Sequence, residues 1–161
     1  MRLPFLLPIL ALLLWGCASY DGRGLQPGAA TEADIRQLMG PPAMEFDSPD
    51  RSRTLTYARG PLGEHTFMVR IRPDGKLGGI EQVLDEAHFA LIVKDRTTRD
   101  EVRLLLGPPG SSMEFPGTRR VAWTYRFRDM WGIPADFSPV FDANGVVVDK
   151  VTIRVESAVD R

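Results

Sequence analysis

The chain has 161 residues, 43% of them hydrophobic and 25% charged, with 20 basic residues against 21 acidic ones. That is ordinary globular composition, enough for one domain or two small ones, and it argues against disorder as the default. A formal charge of -1 excludes nucleic-acid binding through bulk electrostatics, so any charge argument has to be local.

The chain begins with a different material. Arg2 is the only charge in residues 1–16, and the run from Leu3 to Trp15 is uncharged, interrupted by Pro4 and Pro8. It is too short to span a bilayer, which takes about 20 apolar residues. It suits the apolar region of a secretory signal, about 7 to 15 residues long. Leu14 to Cys17 reads LWGC and resembles the lipobox of bacterial lipoproteins, in which a small residue precedes a cysteine that is diacylated and becomes the new N-terminus. Cys17 is the only cysteine. An incidental thiol is the plainer alternative, but a leftover thiol is a liability in an exported protein, which favours lipidation. Residues 1–16 are therefore expected to be a lipoprotein signal peptide and residues 17–30 the lipidated cysteine and its tether. Two or more acyl chains hold a protein on a membrane stably without spanning it. Ala18 follows the cysteine, and by analogy with Gram-negative lipoproteins the absence of Asp there favours an outer-membrane, periplasm-facing location.

Residues 19–30, SYDGRGLQPGAA, have no sustained apolar period and read as a tether. A helix then starts at Thr31, the expected N-cap, with Asp34 three residues on. Ile35, Leu38 and Met39 make its apolar stripe, and Gly40 and Pro41 end it. The same devices return later as Thr98, Glu101, Val102, Leu105, Leu106, Gly107 and Pro108. TEADIRQLMGPP and TRDEVRLLLGPP are two versions of one segment.

Behind each helix the period changes from 3.6 to 2. Val121, Trp123, Tyr125 and Phe127 alternate with Arg120, Ala122, Thr124, Arg126 and Arg128, so one strand face is core and the other wet; RTLTYAR, 53–59, is the earlier counterpart. Each copy continues into two alternating strands joined at Asp74-Gly75 or Asn144-Gly145, both signals for a tight type I′ hairpin. Between the copies, LDEAHFALIV (84–93) predicts an extra helix with Leu84, His88, Leu91 and Ile92 on one side. The spacing from Gly40 to Gly107 is too long for a solenoid repeat. The expected fold is α+β: two tandem modules, 31–84 and 85–161, each a helix or helix pair packed on a small antiparallel β-sheet. Each is near the lower size limit for a stable core, so the two are expected to pack together.

TRDEVRLLLGPP, WTYRF (123–127) and FDANGVVVDKV (141–151) resemble the SmpA/OmlA family of small outer-membrane lipoproteins, the BamE-like proteins. Residues 85–155 carry the resemblance best and residues 25–84 more weakly. The duplicated layout is similar to the tandem modules of β-lactamase inhibitor proteins. The resemblance implies a non-catalytic module that holds other envelope proteins or lipid headgroups. The family module is single, and duplication is a departure from it.

Catalytic chemistry has no visible home. Asp85, Glu86 and His88 lie within one helical turn, but no second cluster completes a zinc site. His65 beside Glu64 has no nucleophile signature near it. Glu45 and Glu114, in the two MEF segments, are paired by repetition and not by acid/base need. The glycines sit at caps and hairpins, with no phosphate-loop pattern. No enzyme, cofactor or metal is expected.

Surface character points further. Arg120, Arg126 and Arg128 share one strand face, and Arg70 and Arg72 share another, offering a basic surface for anionic lipid headgroups or an acidic protein. A charged strand face is most often only a solvated one. Met130, Trp131, Ile133 and Phe137 form an apolar stretch between strands that either folds over the core or marks an interaction site. Arg120, Arg126, Arg128, Met130, Trp131 and Phe137 are thus the candidate partner-binding residues. The expected function is that of a lipid-anchored scaffold or binding module in outer-membrane protein assembly or envelope integrity. The alternative is an inhibitor or sensor of a periplasmic enzyme.

Overall fold

The computed structural model describes residues 21–59 and 63–155. The signal segment and Cys17 lie outside them. In chain order the elements are α1 (Glu32–Met39), β1 (Met44–Asp47), β2 (Arg53–Arg59), β3 (His65–Ile71), β4 (Leu77–Gln82), α2 (Glu86–Ala90), α3 (Arg99–Leu106), β5 (Ser111–Phe115), β6 (Arg120–Arg128), β7 (Pro134–Phe141) and β8 (Val147–Arg154). The strands make two four-stranded antiparallel meanders, β1-β2-β3-β4 and β5-β6-β7-β8.

This overturns the expected α+β architecture of helix-packed modules. Of the described residues 44% are in strands and 16% in helices, so the fold is a two-sheet, β-rich one. Short helices and an added edge strand in each sheet set this balance. Gly40 and Gly107 take positive φ at the helix ends, and the prolines after them forbid continuation, so α1 and α3 stop after 8 residues each. The MEF segments, read without a structural assignment, form β1 and β5, the edge strand that brings each sheet to four.

The helix starts follow the expected chemistry. The N–H of Asp34 donates to Thr31 Oγ1 at 3.3 Å while the Asp34 carboxylate accepts from the Thr31 N–H at 2.9 Å. Glu101 and Thr98 repeat the exchange at 3.3 and 2.7 Å. Each box satisfies two helix-end donors.

The hairpins differ from the expected type I′ form. Gly75 and Gly145 have positive φ, but Asp74 and Asn144 do not. The Gly75 N–H donates to the Arg72 carbonyl and the Arg72 N–H to the Lys76 carbonyl, and residues 142–146 repeat this pattern. That is a type I turn closed by a bulge at a left-handed glycine. Pro73, with its φ locked negative, is built into the first of these turns.

One core lies on each sheet. Ile35 and Met39 of α1 pack on Leu55, Tyr57, Val69 and Ile71. Val102 and Leu106 of α3, joined by Leu84, Phe89 and Ile92, pack on Tyr125, Phe127 and Phe141. The extra helix is shorter than its sequence suggested, and its buried side is Phe89 with Leu84 and Ile92, while Leu91 is 62% exposed. The segment ahead of α1 also lies against the first sheet: Leu25 and Ala30 pack on its core, and Leu77 donates to the Ala30 carbonyl.

The two halves meet through the back of the first sheet. Thr54, Thr56 and Thr66, on the face opposite the core, are buried at 9%, 0% and 1% exposure. Gly107 lies against the Thr56 and Thr66 methyl groups. Arg128 adds an ion pair to the buried Glu64 at 3.1 Å.

A tyrosine ties each sheet to its helix end: Tyr57 donates to the Gly40 carbonyl at 3.2 Å and Tyr125 to the Gly107 carbonyl at 3.0 Å. Burial pushes the Tyr125 hydroxyl well above the ordinary tyrosine range. The folded protein therefore keeps a proton that the unfolded chain releases at about pH 10, so stability holds below that pH and falls as pH rises above it. Tyr125→Phe is expected to cost about 1–3 kcal/mol at neutral pH, because a buried carbonyl loses its donor, and to flatten the alkaline decline. Urea midpoints across the alkaline range check both; an unaltered alkaline slope would remove Tyr125 as its source.

Candidate functional site

The β6–β7 connection places the exposed apolar residues. Asp129 organises it: its carboxylate accepts from the N–H groups of Trp131 and Ile133, each at 2.9 Å, and from Arg154 Nε at 2.8 Å. Gly132 donates to the Asp129 carbonyl at 2.7 Å and holds the positive φ that closes the turn. From outside the loop, the Glu86 carboxylate accepts from the Met130 N–H at 3.2 Å, and Arg128 Nη1 donates to the Gly132 carbonyl at 3.0 Å. Burial pushes the Asp129 carboxyl up, yet these N–H donors and Arg154 outweigh it and hold it below the usual carboxylate range.

With its backbone N–H groups bonded within the protein, the loop presents apolar side chains outward. Met130 is 76% and Trp131 69% exposed, and Ile153 of the adjoining β8 is 63% exposed. The Arg154 guanidinium lies over the Trp131 ring, 5.1 Å from its centroid, and restrains it further.

The other predicted site residues separate. Phe137 belongs to the core: it is 3% exposed and stacked on Phe89, with ring centroids 4.0 Å apart, because register places it on the same sheet face as Tyr125. It therefore leaves the list of surface candidates. Arg126 forks onto Asp136 across the sheet, and hydrogen bonding to that carboxylate holds its guanidinium above its ordinary value. Arg128 faces Glu64. Two of the three strand cations are thus already paired, and only Arg120 is an exposed cation on this strand with no ion pair among the described residues. Arg72 pairs with Asp74 at 2.8 Å, whereas Arg70 is exposed and makes no ion pair among the described residues.

His88 Nδ1 lies 2.7 Å from Asp85 and Nε2 3.3 Å from Glu81. Burial pushes the Asp85 carboxyl up, but the His88 N–H and ring outweigh it and hold it low. Glu86, the third member of that sequence cluster, turns instead to Met130. Among the described residues no group of three or more His, Cys, Asp or Glu could hold a metal ion. His65 opens β3 at 6.1 Å from the Phe67 ring. Glu45 pairs with Arg36 at 2.6 Å, while Glu114 is exposed on the other sheet. No helix among the described residues is long and apolar enough to cross a membrane.

Sequence reading missed a recess between the halves, lined by Met68, Arg70, His88 and Leu105 among others. Its parts come from both copies, so no single stretch announces it.

Fold and surface together define a β-rich protein of two repeated sheets that carries a hydrogen-bonded, exposed apolar loop. No family model matches the chain, and no curated protein does. A crystal structure of a DUF4309 family protein, YjgB from Bacillus subtilis, is similar at 16% identity over 88% of each chain, with a TM-score of 0.34. So slight a likeness carries no argument about fold or function.

Proposed function

We propose that this chain is an exported, outer-membrane lipoprotein that faces the periplasm and works by binding a protein partner of the envelope, without catalysis. Cys17 is its acylation site, supported by LWGC at the end of an uncharged leader. The resemblance of residues 85–155 to SmpA/OmlA sequences supports the envelope setting and a scaffold role in outer-membrane protein assembly or envelope integrity. The observation that carries the binding role is the 129–133 loop: exposed Met130 and Trp131 on a backbone pinned by Asp129, Arg154, Glu86 and Arg128. A pinned loop loses little entropy on docking, and aromatic residues with Met are enriched at interfaces.

In-cell crosslinking of the tagged lipoprotein tests this, with mass spectrometry of what is captured. The expected result is an envelope protein captured by the wild type and lost with Trp131→Ala and Met130→Ala, neither of which shifts the melting temperature measurably. Cys17→Ala is expected to release the protein from the membrane and weaken capture. Capture indifferent to both loop substitutions would sink the loop as the contact; a soluble enzyme held equally well by Cys17→Ala would favour an enzyme inhibitor or sensor.

A further inference from the structure

The recess between the halves is a groove of about 680 Å³, within the usual range for small-molecule sites. Its floor is the back of the first sheet, where register sets Phe46 beside Thr54, Thr54 beside Arg70 and Arg70 beside Gly79. Leu104 and Leu105 of α3 form the facing wall. Met68 and Glu81, paired across β3 and β4, continue the floor toward His88.

Three observations give this groove a ligand class. First, the space above β4 is kept open. A Cβ on Gly79 would meet nothing within 4 Å, and the residue is not in the positive-φ region, so the backbone does not require glycine there. Second, Arg70 lies at the groove without an ion pair among the described residues. Asp50, whose carboxyl feels the Arg70 charge, already accepts from the Ser52 hydroxyl and N–H at 2.6 and 3.0 Å. Third, the second sheet has no such arrangement at equivalent positions: Val140 pairs with Asp149 where Arg70 pairs with Gly79. The cation and the gap occur in the copy whose back face is covered by α3, so neither is a by-product of repetition.

The geometry points to a binding site for a single-chain fatty carboxylate, with its head on the Arg70 guanidinium and its chain along Phe46, Met68, Leu104 and Leu105. A guanidinium fork matches a carboxylate bidentately. Glu81, on the same lining, weakly disfavours added negative charge and so favours a monoanion over a phosphate dianion. The apolar wall supplies hydrophobic binding in proportion to the area it covers. None of these residues belongs to the 129–133 loop, so this site stands or falls apart from the partner-binding proposal.

The full chain carrying Cys17→Ser, purified free of lipid, would be titrated with the fluorescent fatty acid cis-parinarate and then with competitors. Dodecanoate is expected to displace the probe. Dodecanol and acetate, each lacking half of the ligand, are expected to compete at least tenfold more weakly. Lysophosphatidylglycerol, a single-chain phosphodiester, distinguishes the source: weak competition supports a fatty carboxylate, and competition equal to dodecanoate overturns that assignment. Arg70→Ala is expected to weaken dodecanoate at least tenfold, with Arg70→Lys in between; Gly79→Leu, which fills the groove, is expected to abolish probe binding. Unchanged affinity in a folded Arg70→Ala protein, or dodecanol binding as well as dodecanoate, overturns the proposal. So does failure of the wild type to bind the probe, including a result in which only an apolar peptide binds.

Discussion

Gly107→Ala is expected to cost about 3–5 kcal/mol of stability, while the matching Gly40→Ala costs about 1–3 kcal/mol. The two glycines share one backbone conformation, φ 78 and ψ -164 at Gly40 and φ 83 and ψ -168 at Gly107, a region essentially closed to residues with a Cβ. Their surroundings differ. A Cβ at Gly40 meets nothing within 4 Å, whereas one at Gly107 falls 2.8 Å from the Thr56 methyl and 3.1 Å from the Thr66 methyl. Those methyls stand on a sheet face, with Thr56 fully buried, and have little room to give. The excess loss at Gly107 thus measures the contact between the two halves. Urea denaturation of both variants gives the comparison. Equal losses would mean that the halves do not meet in solution as they do here.

Phe137→Ala is expected to destabilise the protein by about 3–5 kcal/mol, in contrast to Trp131→Ala a few residues away, whose effect should stay within about 0.5 kcal/mol. Phe137 stacks on Phe89 at 4.0 Å, and Phe89 in turn meets Phe127 edge-on at 4.8 Å, so removing its ring opens a cavity inside an aromatic cluster. Trp131 keeps 69% of its surface in water and contacts the Arg154 guanidinium. Thermal melts of the two variants decide the matter. A mild Phe137→Ala would mean that the second core repacks around the gap and that its aromatic stack contributes little.

The chain by itself determined most of what depends on neighbours in sequence. The duplication, the capping boxes at Thr31 and Thr98, the helix stops at Gly40 and Gly107 and the alternation of Trp123, Tyr125 and Phe127 were all legible, because caps and pleats are made by residues a few positions apart. The turn type was not: Asp74 and Asn144 marked the right places, but the left-handed conformation belongs to Gly75 and Gly145 alone. The balance of sheet over helix was also misjudged, since whether MEF becomes a fourth strand depends on the edge offered by β2 and β6.

What covers each surface was decided by tertiary structure only. Phe137 looked like part of an apolar loop until pairing with Tyr125 set it on the buried face. Arg126 and Arg128 looked like a basic stripe until Asp136 and Glu64, from other strands and loops, neutralised them. The groove beside Arg70 needs a sheet from one copy and a helix from the other. Burial and charge pairing are sums over residues distant in the chain, and local periodicity carries no information about which of them arrive.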